Sequence, residues 1–216
     1  MIISRGRRFI FVHIPKTGGT ALALALEAHA LADDILIGDT PKARRRRRRL
    51  KGVQTGGRLW KHSRLSDIDG LVTPEEIADF FTFTLVRNPW DRVVSYYHWL
   101  RRQTFEHPAV ALARAHDFSA FLNAPHTQAT LGAESYGLYM RDADGVERCG
   151  AFVRLEHLDT DLAPVRAHLD LRLDDIPRRN VSDRRRDYRS YYSAADAEQV
   201  ARLAAEDIAR FGYRFG

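Results

Sequence analysis

The segment FIFVHIPKTGGTALALALEAHALA, residues 9–32, constrains the fold more than any other stretch of the chain. Phe9–Ile14 is a short run of apolar, aromatic and β-branched residues, which predicts a buried strand. PKTGGT is a tight turn, and the alanine- and leucine-rich run after it predicts a helix. Strand, glycine loop and helix together open an α/β unit. A second apolar run, Phe80–Val86, predicts another buried strand and ends in RNPWD. There Asn88 suits a helix N-cap and Pro89 the first helical position, so a helix should run through Leu100. Ala151–Leu155 reads as a third strand. Apolar residues at Leu158, Leu162, Val165 and Leu169 predict a helix, and a last helix should run from Ala194 to Phe211 and stop at Gly212. Residues 103–150 read as helix and loop with a turn at Asp142–Gly145. Strands separated by helices predict an α/β fold, a parallel sheet with helices on both faces.

The 216 residues fit one domain, 1–216, and the 44% hydrophobic content excludes a disordered chain. Cys149 is the only cysteine, so an internal disulfide and a cysteine zinc cluster are excluded. No apolar run reaches the length of a membrane span, and the N-terminal residues lack a leader pattern. The expectation is a soluble cytoplasmic protein. Its net charge of +6 favours anionic partners without choosing among them. Residues 38–58 break the pattern with six consecutive arginines, Arg44–Arg49, and read as an exposed basic insertion. A further basic loop, RRNVSDRRRDYRSYY, precedes the last helix.

A glycine loop between strand and helix is an anion site, because backbone N–H groups and the positive end of the helix dipole converge there. Gly18 and Gly19 allow close approach of an oxyanion. Lys16 brings a full charge, Thr17 and Thr20 bring hydroxyls, and Ala21 lies in the first helical turn. The order differs from the nucleotide-binding loop G-x-x-x-x-G-K-[ST], since here the lysine precedes the glycines. Arg87 stands at the carboxyl end of the second strand, where open α/β sheets bind ligands. Ser95 follows eight residues later, about two helical turns on. An arginine can grip a phosphate bidentately and a serine can add a hydroxyl donor.

HIPKTGGTAL resembles the 5′-phosphosulfate loop of the carbohydrate sulfotransferase superfamily, closest to the group with heparan sulfate 2-O-sulfotransferases and bacterial enzymes. TLVRNPWDRVVSYY is similar to the 3′-phosphate motif of the same superfamily. FVRLEHLDTDL, then NVS, YY and a final helix ending in FGYRF, follow the family more loosely. The resemblance implies a P-loop-like sulfotransferase fold and transfer of a sulfuryl group from 3′-phosphoadenosine-5′-phosphosulfate to an acceptor hydroxyl, without a metal. It implies donor binding by Lys16, Thr17, Gly18, Gly19, Thr20 and Ala21 at one end, and by Arg87 and Ser95 at the 3′-phosphate.

Such a transfer needs a base for the hydroxyl proton and a cation for the leaving oxygen. Lys16 suits the second role. For the base the resemblance points to the segment between the first helix and the Arg87 strand, which holds His62 in LWKHSRLSDI. Glu27, one helix face from Lys16, is the alternative. The acceptor is expected to be anionic or hydroxylated: a glycan, a lipid or a small molecule. Arg44–Arg49 reads as a solvated surface, as a recruiter of such an acceptor or, last, as a nucleic-acid contact. Two rival functions remain. A P-loop kinase would need an acidic residue where the second strand ends in Arg87. A basic nucleic-acid-binding protein would leave both phosphate motifs unexplained.

Overall fold

A computed structural model describes residues 1–173, 176 and 184–216. Its strands are β1 (Ile2–Ser4), β2 (Phe9–Val12), β3 (Ile35–Leu36), β4 (Phe81–Val86) and β5 (Ala151–Arg154). The helices are α1 (Gly19–Ala28), α2 (Pro41–Arg46), α3 (Pro74–Asp79), α4 (Pro89–Leu100), α5 (Pro108–Ala115) and α6 (Phe118–Asn123). They continue with α7 (Pro125–Gly132), α8 (Tyr136–Tyr139), α9 (Leu158–Asp161), α10 (Ala163–Leu169), α11 (Ala194–Leu203) and α12 (Ala205–Phe211). The chain forms two compact units, Met1–Val86 with Tyr136–Arg179, and Arg87–Ser135 with Asn180–Gly216.

The first unit holds one five-stranded sheet in the order β3-β1-β2-β4-β5. The three strands expected from the sequence are its parallel part: β2 pairs with β4, and β4 with β5. The two strands not expected, β1 and β3, extend it on one side, with β1 antiparallel to both of its neighbours. Phe9, Phe11, Phe83, Leu85 and Val153 point to one face and pack with Leu22, Ala23 and Leu26 of α1 and with Val165 and Leu169 of α10. Ile10, Val12, Thr84 and Val86, which alternate with them, are equally buried. Burial on both faces explains why the strands read as continuous apolar runs.

The helix expected over 158–169 is broken. Leu162 ends α9 and caps α10, and Pro164 in the first turn of α10 has no N–H to continue the ladder. The helix expected over 194–211 likewise divides at Ala204, whose φ of −113° and ψ of 26° leave the helical range. Of the family-like C-terminal segment, Asn180, Val181 and Ser182 lie outside the described residues.

The second unit is helical. Trp90, Val93, Val94, Tyr97 and Leu100 repeat at helical spacing along α4 and are buried with Val110 and Ala113 of α5, Phe118 and Phe121 of α6 and Val200 of α11. The start of α4 is fixed as its sequence predicts. Asn88 Oδ1 accepts from the N–H groups of Trp90 and Asp91, and Pro89 opens the helix. Among the described residues no helix is long and apolar enough to cross a membrane, and no three His, Cys, Asp or Glu side chains gather as a metal site.

Candidate active site

β2 ends at Val12, and the next eight residues make the first candidate site. Lys16 has a φ of 68° and Gly18 a φ of 90°, so the loop takes two left-handed steps before α1. The N-cap is Gly18, which offers no side chain, so the first N–H groups of α1 carry no side-chain cap. Among them the Ala21 N–H donates to the carbonyl of Gly18 at 3.1 Å, and the N–H groups of Gly19 and Thr20 precede the helical ladder. Gly19 is required by packing: a Cβ there would lie 2.2 Å from Cδ2 of His13. One sequence expectation changes here. The hydroxyl of Thr17 is buried and donates to the carbonyl of Ile14 at 2.9 Å, so it closes the loop and is not offered to a ligand. Any contact Thr17 makes to an anion is through its backbone.

His62 lies on the short segment before a 3-10 turn, Ser66–Ile68. Its Nδ1 is 2.7 Å from the carbonyl oxygen of His13. A carbonyl can only accept, so Nδ1 carries the hydrogen and Nε2 is left with its lone pair. The two imidazoles meet edge to face with ring centres 4.7 Å apart. Through His13, which itself packs on Gly19, the His62 ring is joined to the Lys16 loop. Burial is the main cause that pushes the His62 imidazole down to about 4, helped by the nearby Lys61 ammonium and opposed by the hydrogen bond to His13. Burial likewise holds His13 well below the usual histidine range. Both rings are therefore neutral at neutral pH, and Nε2 of His62 keeps its lone pair.

Glu27, the alternative base, is engaged elsewhere. Its carboxylate accepts the hydroxyl of Thr40 at 2.7 Å, and Thr40 in turn caps α2 by accepting from the N–H of Ala43. Burial raises its pKa. This residue anchors the arginine segment to α1. The arginine run is also less uniform than its sequence implies. Arg46 donates to the carbonyls of Leu31 and Asp34, and Arg49 donates to that of Ala32. Arg44, Arg45, Arg47 and Arg48 are exposed.

In the second unit, Arg87 follows directly on β4. Its Nε and one terminal nitrogen hold Asp91 Oδ2 at 2.9 and 2.5 Å. The other oxygen of Asp91 pairs with Arg184 at 2.6 Å. All three side chains are largely enclosed, at 13% to 19% exposure, so the guanidinium groups are held in place rather than waving in solvent. Asp91 and Ser95 are four residues apart on α4 and share a face of it. Arg184 is a member of this cluster that sequence reasoning missed. It was one arginine in the run Arg184–Arg186, and no local spacing connects it to Asp91.

No curated protein matches the chain. Residues 1–137 match the model of the sulfotransferase family. Among solved structures, mouse sulfotransferase SULT7A1 complexed with PAP is similar, with 19% identity and a TM-score of 0.52 over 93% of this chain and 82% of that one. That likeness is one of fold. The family match covers more than half of the residues, from β1 through α4 and beyond, and the chain therefore belongs to the sulfotransferase family.

Proposed function

We propose that the protein transfers a sulfuryl group from 3′-phosphoadenosine-5′-phosphosulfate to an acceptor hydroxyl by in-line displacement, acting as a single sulfotransferase domain. The observation that carries this reading is the junction of β2, the Lys16 loop and the uncapped start of α1, with the proton-free Nε2 of His62 joined to it through His13. Lys16 and the α1 N–H groups suit the phosphosulfate end, where Gly18, Gly19, Thr20 and Ala21 leave the backbone approachable. Arg87, Ser95 and Arg184 suit the 3′-phosphate. Two guanidinium groups around one carboxylate leave one net positive charge for such a group. The mouse relative crystallised with PAP, the product such a donor leaves, supports the same nucleotide here.

In the proposed step His62 Nε2 takes the proton of the acceptor hydroxyl as its oxygen bonds to sulfur. The bond between sulfur and the phosphate oxygen breaks, and the charge that appears on that oxygen is met by Lys16 and the α1 N–H groups. These residues need no metal for either role. The acceptor is a hydroxyl of a glycan, a lipid or a small molecule, and the cytoplasm is the proposed place of action.

The test is thermal unfolding with PAP, with ATP and Mg²⁺, and with duplex DNA. PAP at a hundredfold excess over its Kd should raise Tm by about 5–10 °C. An equal or larger shift with ATP and Mg²⁺ overturns the donor assignment in favour of a kinase, and a shift with DNA alone favours nucleic-acid binding.

A further inference from the structure

The run Arg44–Arg49 has no part in the proposed chemistry, yet the fold holds it in order. Like charges three and four apart on a helix repel, so the segment forms against its own charge. Thr40 caps α2 and is itself bound to Glu27 of α1, and Pro41 opens the helix. The ammonium of Lys42 donates to the carbonyl of Glu27. Arg46 donates to the carbonyls of Leu31 and Asp34, and Arg49 to that of Ala32, so these two tie the segment to the loop after α1. Arg44, Arg45, Arg47, Arg48 and Lys51 are left exposed. Among the described residues none of these is in an ion pair.

Two of the large exposed apolar side chains, Val53 at 36% and Trp60 at 44%, adjoin these cations. Val53 follows the 3-10 turn Arg47–Leu50, and its N–H donates to the carbonyl of Leu50 at 3.5 Å. Trp60 is fixed by its N–H, which donates to Ser63 Oγ at 2.9 Å. The guanidinium of Arg58 lies over the indole, 5.9 Å from its centre. The next residue, Lys61, and Ala43 of α2 both approach Gly38, at 3.9 and 4.0 Å from where its Cβ would be. Asp39 is held below the usual carboxylate range first by its hydrogen bond to Lys61 and also by the charge of Arg44. That carboxylate, paired with Lys61 at 2.8 Å, stands between the two segments. Cations and apolar groups are thus interleaved on one braced surface.

We propose that this surface docks the protein on an anionic lipid bilayer. Arg44, Arg45, Arg47, Arg48 and Lys51 meet the headgroup phosphates, while Val53 and Trp60 enter the boundary between headgroups and acyl chains. A cluster of exposed guanidinium groups is drawn to an anionic leaflet, and its charges act together because they are held on one short segment. An indole with one apolar body and one polar N–H suits the same boundary, and arginine stems reach past apolar groups to phosphate. Duplex nucleic acid would satisfy the arginines but would offer Val53 no apolar partner and Trp60 no unstacked base. The exposed apolar pair therefore favours the bilayer.

The test is co-sedimentation with vesicles of phosphatidylcholine alone and of phosphatidylcholine with phosphatidylglycerol, beside titrations with duplex and single-stranded DNA. The protein should sediment with the mixed vesicles and not with phosphatidylcholine alone, and raised salt should release it. Tryptophan fluorescence should shift to the blue on binding, and Trp60→Phe should lose that shift. Arg44→Gln, Arg45→Gln, Arg47→Gln and Arg48→Gln combined should weaken vesicle binding about a hundredfold or more, and Val53→Ser severalfold. The combined variant should unfold at no lower temperature than wild type, since only mutually repelling charges are removed. Equal vesicle binding by the combined variant and wild type overturns the proposal. So does equal binding to phosphatidylcholine alone, a bound protein with no blue shift, or a lower unfolding temperature of the combined variant. Tighter binding of either DNA than of the mixed vesicles overturns it in favour of a nucleic-acid contact. Affinity for PAP should be the same in every variant, and a wild type that binds the mixed vesicles without binding PAP overturns the donor reading alone.

Discussion

The Lys16 loop and the Arg87 junction both follow the carboxyl end of a parallel strand, yet they are built from opposite materials. Around Lys16 the protein offers uncapped backbone N–H groups and two neutral imidazoles, one of them buried against Gly19. Around Arg87 it offers full charges, two guanidinium groups clamped by the carboxylate of Asp91. Under the proposed function the difference matches two tasks. A site where charge appears during a reaction benefits from fixed dipoles and a base that is uncharged beforehand. A site that holds a permanently charged group through the reaction benefits from permanent opposite charge, fixed in advance so that little order is lost on binding.

The comparison breaks first at the chemical site, where effects should be largest. His62→Ala should lower the transfer rate about a hundred- to ten-thousand-fold with PAP affinity unchanged. Lys16→Ala should lower it about a hundred- to a thousand-fold and weaken donor binding as well. Single-turnover rates paired with PAP titrations separate the two residues. A normal rate in either variant, with folding intact, removes that residue from the chemistry. At the binding site the loss should be smaller and selective. Arg87→Ala should weaken PAP by about 1.5–3 kcal/mol while adenosine 5′-phosphosulfate, which lacks the 3′-phosphate, is little affected. Equal loss for both nucleotides would place Arg87 elsewhere.

The last effect concerns pH and stability rather than binding or rate, and belongs to the imidazole site. His62 is held near 4 in the folded protein, against about 6.5 in an unfolded chain. Between those values the unfolded chain carries more protons, so stability falls as pH falls. The contribution is intact above about pH 6.5 and lost progressively toward about pH 4, amounting to about 3 kcal/mol at the lower end. His13 acts in the same direction. Denaturant titrations at pH 7.5 and pH 5 on wild type and His62→Gln check this. The variant should lose less stability on acidification.

Much of both sites could be read from local sequence. The β2 and β4 runs, the glycine loop and the Asn88-Pro89 helix start are short-range signals, because burial on both faces and cap chemistry leave their mark within a few residues. β1 and β3, at three and two residues, are too short to show a period. The pairing of Asp91 with Arg184 spans 93 positions and leaves no spacing to read. The roles of Thr17, Glu27, Arg46 and Arg49 were hidden for a related reason. Each residue type suits a ligand or the fold equally well, and only the position of a partner decides which.

The hydrogen bond that orients His62 comes from the main chain of residue 13, and this decides which genetic changes can harm it. Exchanging the His13 side chain leaves that carbonyl in place, so the bond is shielded from point substitution at its own acceptor. What it cannot survive is a change of length. Adding or deleting a single residue between Phe9 and His13 would turn the carbonyl to the other side of the strand line. His62 would then lose its fixed tautomer although every residue named in the proposed reaction was still encoded.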